Sequence, residues 1–509
     1  MKKSFILFIV LLALSVGTVC MAQTELLQEK DQVNFTEKIL YGDKSIIEGV
    51  TVEMKNYYPY QMYWDSVYTI GEKPKVQTEY QFYPWERYEN NYELPRAFGM
   101  MHDSEDAFLE TYAKAELSDL EGLAVAWREL YDQVGAGEEQ TITIQLNDYL
   151  EYYTFSASFS SPTESGIPFS LHLWEKELRE NLKVYAGKRD QIAKLEKHLS
   201  YLEAFQEFFK IPIVDGEVHK LAMRKDNSGK VIGSAIASAT MGSGTGTIDI
   251  PNFPVFSETD YFYFSTITAM TETDCYFTFD PYTYQGKVVD TSQIPGGYGI
   301  YHFPYDADKG EIYPEELRMV YALDPKEEEV YYMCMDHAEK NLLLFTIKNE
   351  QLYLSVIDKE TMTLRNKLEI GNQEQGVSVW VYEGYVVLEA EELILLTIDE
   401  TGNYTKQFSI PDEMLHDRIK GAAEENGAWL FWGDTEFDWD GETLVFAGFL
   451  HLEASPSCGF YVAAVNTEGL QYCATYESSL MTARRVYGKY AACQPVGEKP
   501  VTIWFADTP

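Results

Sequence analysis

Runs of alternating apolar and polar residues fill most of this chain, and one apolar phrase recurs in its C-terminal half: LYLSVID from Leu352, LILLTID from Leu393 and FYVAAVN from Phe460. Each copy has Glu within the next two residues and then a second strand-like run, so a single hairpin is used again and again. A period of about 40 residues predicts a β-propeller. A second repeated element supports the first. MDHAEKNLLLFT from Met335 aligns with FDWDGETLVFAG from Phe437, each placing an acidic turn ahead of an apolar inner strand. At roughly 43 residues per blade, the stretch 250–509 has room for about six to seven blades.

The N-terminal half has a different rhythm. Alternation in Gly49–Met54, Ser66–Ile70 and Thr78–Tyr83 predicts a meander. From Ser118 the period becomes helical: Ser118 and Glu121 form a capping box, Leu120, Leu123, Trp127, Leu130, Tyr131 and Val134 make one face, and Gly135 is the stop. Strand-like runs return at Thr141–Leu146 and Tyr149–Phe159. A second helix is expected over Arg189–Phe209, with Ile192, Leu195, Leu199, Leu202 and Phe205 on its packed face and Pro212 beyond its end. Between Asp226 and Thr247 the composition shifts to Gly, Ser, Ala and Thr, which reads as a linker or as small-residue strands. The expected fold is therefore mainly β, with an N-terminal α+β domain over 34–225 and a C-terminal β-propeller-like domain over 250–509.

Residues 1–22 read as an export signal or a retained N-terminal anchor. Lys2 and Lys3 precede an apolar core from Phe5 to Val16, and Ala22 follows a small-residue stretch. Cys20 lacks the preceding residues of a lipidation site, so cleavage after Ala22 is the simpler reading. The expected location is extracellular or at the outer face of the cytoplasmic membrane, with membrane contact only through the N-terminal segment if it is uncleaved. The net charge of −41 argues against nucleic acid or anionic lipid as a partner, since both would be repelled. Cys275, Cys334, Cys458, Cys473 and Cys493 are too few and too scattered for a disulfide framework, although Cys458 and Cys473 lie close enough in sequence to pair or to stay as thiols.

Candidate chemistry is sparse. The sequence has no G-x-S-x-G, S-x-x-K or H-E-x-x-H, and its eight histidines are scattered. Two acidic loops place oxygens on alternate positions ahead of a turn glycine: Glu436, Asp438 and Asp440 before Gly441, and Asp306 and Asp308 before Gly310. That pattern suits calcium, but neither loop carries the glutamate that closes an EF-hand, so a turn aspartate capping backbone amides is the competing reading. Aromatic residues cluster in NYYPYQMYW from Asn56 and YQFYPWERY from Tyr80, and prolines there interrupt the alternation. Tyr58, Tyr60, Tyr63, Trp64, Tyr83 and Trp85 are the candidate binding residues, since exposed Tyr and Trp stack on sugars or anchor protein interfaces.

The FDWDGETLVFAG element resembles the Asp-Gly strand motif of Tol-associated periplasmic propellers. More of the chain is similar to an uncharacterised family of exported proteins of Gram-positive bacteria, through LYGDKSIIEGVTVEM from Leu40, LNDYLEYYTFSASF from Leu146, FFKIPIV from Phe208 and VDTSQIPGGYGIYHFPY from Val289. That resemblance implies export and two domains, and brings no catalytic residues. The reading that follows is an exported, non-enzymatic binding or sensing protein engaging a protein or cell-wall glycan, without a cofactor unless calcium is bound. Two alternatives stand beside it: a glycan-active hydrolase or lyase using propeller-face carboxylates, and a calcium-stabilised structural protein of the envelope.

Overall fold

The computed structural model describes residues 10–21, 34–58, 62–82, 96–102, 108–165, 168–238, 245–248, 250, 259–372, 377–399, 402–411, 428–430, 435–452, 458–478, 484–486, 489–491, 494–495 and 501–505. The chain is mainly β, and it forms two compact units, Met1–Tyr92 with Glu374–Pro509, and Glu93–Gln373. The compositional break at 226–247 lies inside the second of these. Ala22, the expected cleavage position, is outside the described residues, as are Lys2 and Lys3. Among the described residues no helix is long and apolar enough to cross a membrane.

The unit built from both chain ends consists of antiparallel meanders. Ser378–Tyr382, Tyr385–Glu389, Glu392–Ile398 and Tyr404–Pro411 pair in sequence order. Glu436–Trp439, Leu444–Leu452, Cys458–Asn466 and Gly469–Ser478 do the same, and Phe35–Gly42 adds to the last of them. The expected N-terminal meander is present as Thr51–Tyr58, Met62–Thr69 and Lys75–Phe82, but its first strand also pairs with Val501–Trp504. Val52, Met54 and Tyr68 consequently share a core with Val462, Tyr472, Tyr476 and Val501.

Phe35–Gly42 is fastened at two points. Glu37 accepts hydrogen bonds from the Tyr472 and Tyr476 hydroxyls at 2.9 and 2.8 Å and from Lys44 at 2.6 Å. Burial alone would raise its pKa, but the Lys44 ammonium and the two phenols outweigh burial and hold it below the usual carboxylate range. Gly42 has φ +80°, and a Cβ there would lie 1.8 Å from the Gln471 carbonyl oxygen, so only glycine fits this approach.

The second unit contains the helices. Leu123–Gln133 buries Leu123, Trp127 and Leu130, the face expected from its periodicity. Its start differs from expectation: Ser118 lies in a separate 3-10 turn, and the helix begins after Gly122 at φ +58°, with no side-chain cap. A left-handed residue at that point turns the chain sharply, so the Ser118–Glu121 pair never reaches the capping position. Arg189–Phe208 forms as expected and buries Tyr201, Leu202 and Phe205. Glu175–Val184, a further helix, buries only Leu178, and its weak apolar stripe explains why periodicity did not reveal it. The small-residue stretch is strand rather than linker where it is described: Val231–Ser238 pairs with Val218–Lys225.

All three copies of the repeated phrase occupy the third strand of a four-stranded meander: Gln351–Asp358, Glu392–Ile398 and Cys458–Asn466. The polar residue closing each copy has a common task. Asp358 accepts from the Thr361 amide at 2.9 Å, Asp399 from the Asn403 amide at 3.0 Å and Asn466 from the Glu468 amide at 2.8 Å. Asp and Asn recur there because their short side chains satisfy amides of the turn into the fourth strand.

Asp65 is a half-buried carboxylate among other carboxylates. It lies opposite Lys55 on one side and Glu79 on the other, and its Oδ1 has no hydrogen-bond partner. Burial first, then repulsion from Glu53, push its pKa up to about 6. A carboxyl whose folded pKa lies above its unfolded value weakens the fold once it is ionised. The chain should therefore gain stability from this group as pH falls from about 6 to 4. Allowing for solvent screening, Asp65→Asn is expected to stabilise by about 1–2 kcal/mol at pH 7 and by nothing at pH 4, read by urea unfolding. Equal effects at both pH values would show that Asp65 is not the source.

Candidate metal centre

Glu217 and His219, two buried side chains with unpartnered polar atoms, lie in the second unit at the strand Val218–Lys225. This strand pairs with Glu139–Gln145 on one side and Val231–Ser238 on the other, so His219 sits opposite Ile144 and Ser238 in the middle of a sheet. Glu217 and His219 are two residues apart and therefore project to the same face. The Glu217 backbone is held in place, its carbonyl accepting from the Leu146 amide at 2.9 Å and its amide donating to the Val214 carbonyl at 3.2 Å. His102 comes from another sheet, at the end of Ala97–His102 opposite Phe155.

One ligand atom from each of His102, Glu217 and His219 can be chosen so that all three lie within 4.8 Å of one another. His219 is 0 % exposed and Glu217 1 %. Neither ring nitrogen of His219 has a hydrogen-bond partner, and neither does Glu217 Oε1. His219 Nε2 and Glu217 Oε1 are 3.7 Å apart, too long for a hydrogen bond between them.

The surrounding groups orient the cluster. The Tyr153 hydroxyl donates to Glu217 Oε2 at 2.5 Å and accepts from the Val214 amide at 3.1 Å. Burial and the adjacent Glu217 carboxylate push the Tyr153 phenol far above its ordinary pKa, so it remains a donor. Its ring packs edge-on against His102 at 4.9 Å. His102 Nδ1 lies 3.0 Å from the Thr154 carbonyl oxygen, an acceptor only, which fixes the proton on Nδ1 and directs the Nε2 lone pair the other way.

The carboxylates of the two acidic loops lie outside this group. Asp440 Oδ1 accepts from the Glu442 and Thr443 amides at 2.8 and 2.7 Å, and Asp438 from the Trp439 and Phe505 amides at 3.0 and 2.8 Å. Glu436 accepts from the Tyr382 hydroxyl at 3.3 Å. Asp306 takes the Lys309 amide and ammonium at 2.9 and 2.6 Å, while Asp308 takes the Glu164 amide at 2.9 Å. These carboxylates act as caps on backbone amides and as local ion-pair partners, and the described ones do not gather into a three-ligand group. Trp64 corrects the aromatic reading: at 4 % exposure it belongs to the core with Val52 and Tyr68, because the strand's inward register buries it. Tyr58 and Tyr63 lie on paired strands, with side chains outside the described set; Tyr60, Tyr83 and Trp85 lie outside the described residues. Cys473 is a buried free thiol, and the side chain of Cys458 lies outside the described set.

No two histidines of this centre stand at ligand spacing in the sequence. The local signal is Glu217-x-His219 at the start of a strand, two donors on one face. The third donor, His102, is remote in sequence and leaves no spacing to read.

No family model matches the chain, and no curated protein matches it. Among solved structures, the β-propeller domain of Cps50 (Swd1) from Myceliophteria thermophila aligns at 10% identity and TM-score 0.22, over 52% of this chain and 96% of that one. TolB from Acinetobacter baumannii aligns at 7% identity and TM-score 0.21, over 89% and 82%. A protein from Lactobacillus plantarum aligns at 10% identity and TM-score 0.21, over 59% and 84%. Likenesses this distant carry neither fold nor function, and the description of the sheets rests on their own strand pairing.

Proposed function

We propose that this chain is an exported, non-enzymatic binding or sensing protein whose meanders are the blades of a propeller scaffold, engaging a protein or a cell-wall glycan outside the cytoplasm. The observation that carries the reading is the repeated module itself, with the same phrase on the third strand of three meanders and an Asx side chain capping an amide of the turn after each. Radial repetition of four-stranded sheets makes a stable platform whose connecting loops are free to vary, and binding residues concentrate on such loops. The burial of His219 and Glu217 favours binding over turnover, since reacting groups must touch their substrate. The apolar N-terminal segment supports export.

Cross-linking the tagged chain at the surface of its own cells, followed by mass spectrometry, tests the reading. The expected result is recurrent, near-stoichiometric capture of one membrane protein or of wall glycan. Hydrolysis of glycan or peptide by the purified protein, abolished by changing a single carboxylate, would replace this reading with the hydrolase one.

A further inference from the structure

We propose that His102, Glu217 and His219 form a binding site for one divalent metal ion of the zinc class, held by two imidazole nitrogens and one carboxylate oxygen. Buried polar groups are nearly always hydrogen-bonded, because stripping water from them without replacement is costly. Here two fully buried side chains, one of them a carboxylate, stand two residues apart at the start of a central strand with three polar atoms unpartnered. A direct contact between His219 and Glu217 does not remedy this, for at 3.7 Å it makes no hydrogen bond. A cation between the rings and the carboxylate would satisfy the carboxylate and one nitrogen of each ring.

The donor set selects the metal. Two histidines and one glutamate form a recurrent zinc ligand set, with bonds of about 2.0–2.2 Å. Tetrahedral ligands at such lengths stand about 3.4 Å apart, so the 3.7 Å between His219 and Glu217 already approaches that spacing, and the 4.8 Å limit of the set is closed by small side-chain rotations. Calcium and magnesium, which favour oxygen ligands, fit poorly with two imidazoles. The outer groups follow the pattern of built metal sites: His102 is oriented by the Thr154 carbonyl, and Glu217 is oriented by the Tyr153 hydroxyl. This site is distinct from the acidic loops that suggested calcium. Its position on a central strand, with a ligand from a second sheet, makes it a clasp between the two.

The test uses the purified full chain, stripped with chelator and titrated with Co²⁺ in excess Mg²⁺, which occupies the acidic surface. The expected result is one equivalent of Co²⁺ with visible bands of a low-coordinate nitrogen–oxygen site, displaced by Zn²⁺, and a melting temperature raised by either ion. His219→Ala should lose the bands and the bound equivalent. Because a buried alanine there can compromise folding, Glu217→Gln serves as the second variant. It keeps an acceptor for Tyr153, should retain the wild-type near-UV circular dichroism, and should lose the site. Tyr153→Phe should keep one equivalent with affinity about 10–100-fold weaker. Wild-type protein binding no more Co²⁺ than Glu217→Gln, or binding equally well in the folded variants, would overturn the proposal.

Discussion

Replacing Phe303 with alanine is expected to lower the unfolding free energy of the second unit by about 3–5 kcal/mol, the range for truncating a large aromatic in a packed core. Phe303 is fully buried on the strand Gly299–Asp306. Its ring lies 5.0 Å from Phe98, 5.5 Å from Phe205, 5.9 Å from Phe277 and 6.4 Å from Phe159. Those four rings come from two further sheet strands, the long helix and the neighbouring strand of its own meander, so no single element can move to refill the space. Edge-on geometry with Phe98 and Phe205 adds a directional component to area burial. The same core runs from Phe98 to Leu317, joining helical and meander segments in one cluster. Urea unfolding of the variant should therefore shift the whole unit in one transition, with its helical and aromatic signals moving together. A loss below about 1 kcal/mol, or a transition that splits the helical signal from the aromatic one, would show that the ring does not join these elements.

That core explains which parts of the fold were legible. Local patterns survived translation into structure: the alternation of Thr51–Tyr58, the apolar face of Leu123–Gln133, the extent of Arg189–Phe208 and the third-strand repeat all follow from periods of two or 3.6 residues. Pairings between distant segments did not. Nothing in Val52 announces Ile503 as its neighbour, and nothing in Phe98 announces Phe303, because register across hundreds of residues leaves no local signature. The site suffered the same loss. Its strand-borne half, Glu217-x-His219, was visible in principle, whereas His102 becomes a neighbour only when two sheets meet. The acidic loops show a complementary ambiguity: carboxylates on alternate positions before a glycine suit a cation and are also what a tight turn needs to cap its own amides. Aromatic clusters were ambiguous for a related reason, since a tryptophan beside a loop reads as exposed until strand register turns it inward, as it does Trp64.

Asp274→Asn is expected to destabilise the chain by about 2 kcal/mol at pH 6, with the deficit falling to about half by pH 3. Asp274 Oδ1 lies 2.8 Å from His302 Nε2, and Oδ2 accepts from the Thr273 hydroxyl at 2.9 Å and the Thr271 hydroxyl at 3.3 Å. The bond to His302 is the largest influence, burial opposes it, and the carboxyl ends with its pKa lowered to about 2. A carboxylate whose folded pKa is depressed contributes stability above its unfolded pKa, near 3.8, and loses it as pH falls toward 2. Asparagine keeps the shape and one acceptor but removes the charge, so variant and wild type should converge as acid protonates the native carboxylate. The direction is opposite to that expected for Asp65, although both are half-buried aspartates on antiparallel strands. The difference lies in their neighbours: Asp274 faces an imidazole and two hydroxyls, while Asp65 faces Glu53 and Glu79 with one lysine between the signs. Urea unfolding of both asparagine variants from pH 7 to 3 measures this directly. Parallel pH profiles for the two would mean that burial, rather than the named partners, sets both aspartates.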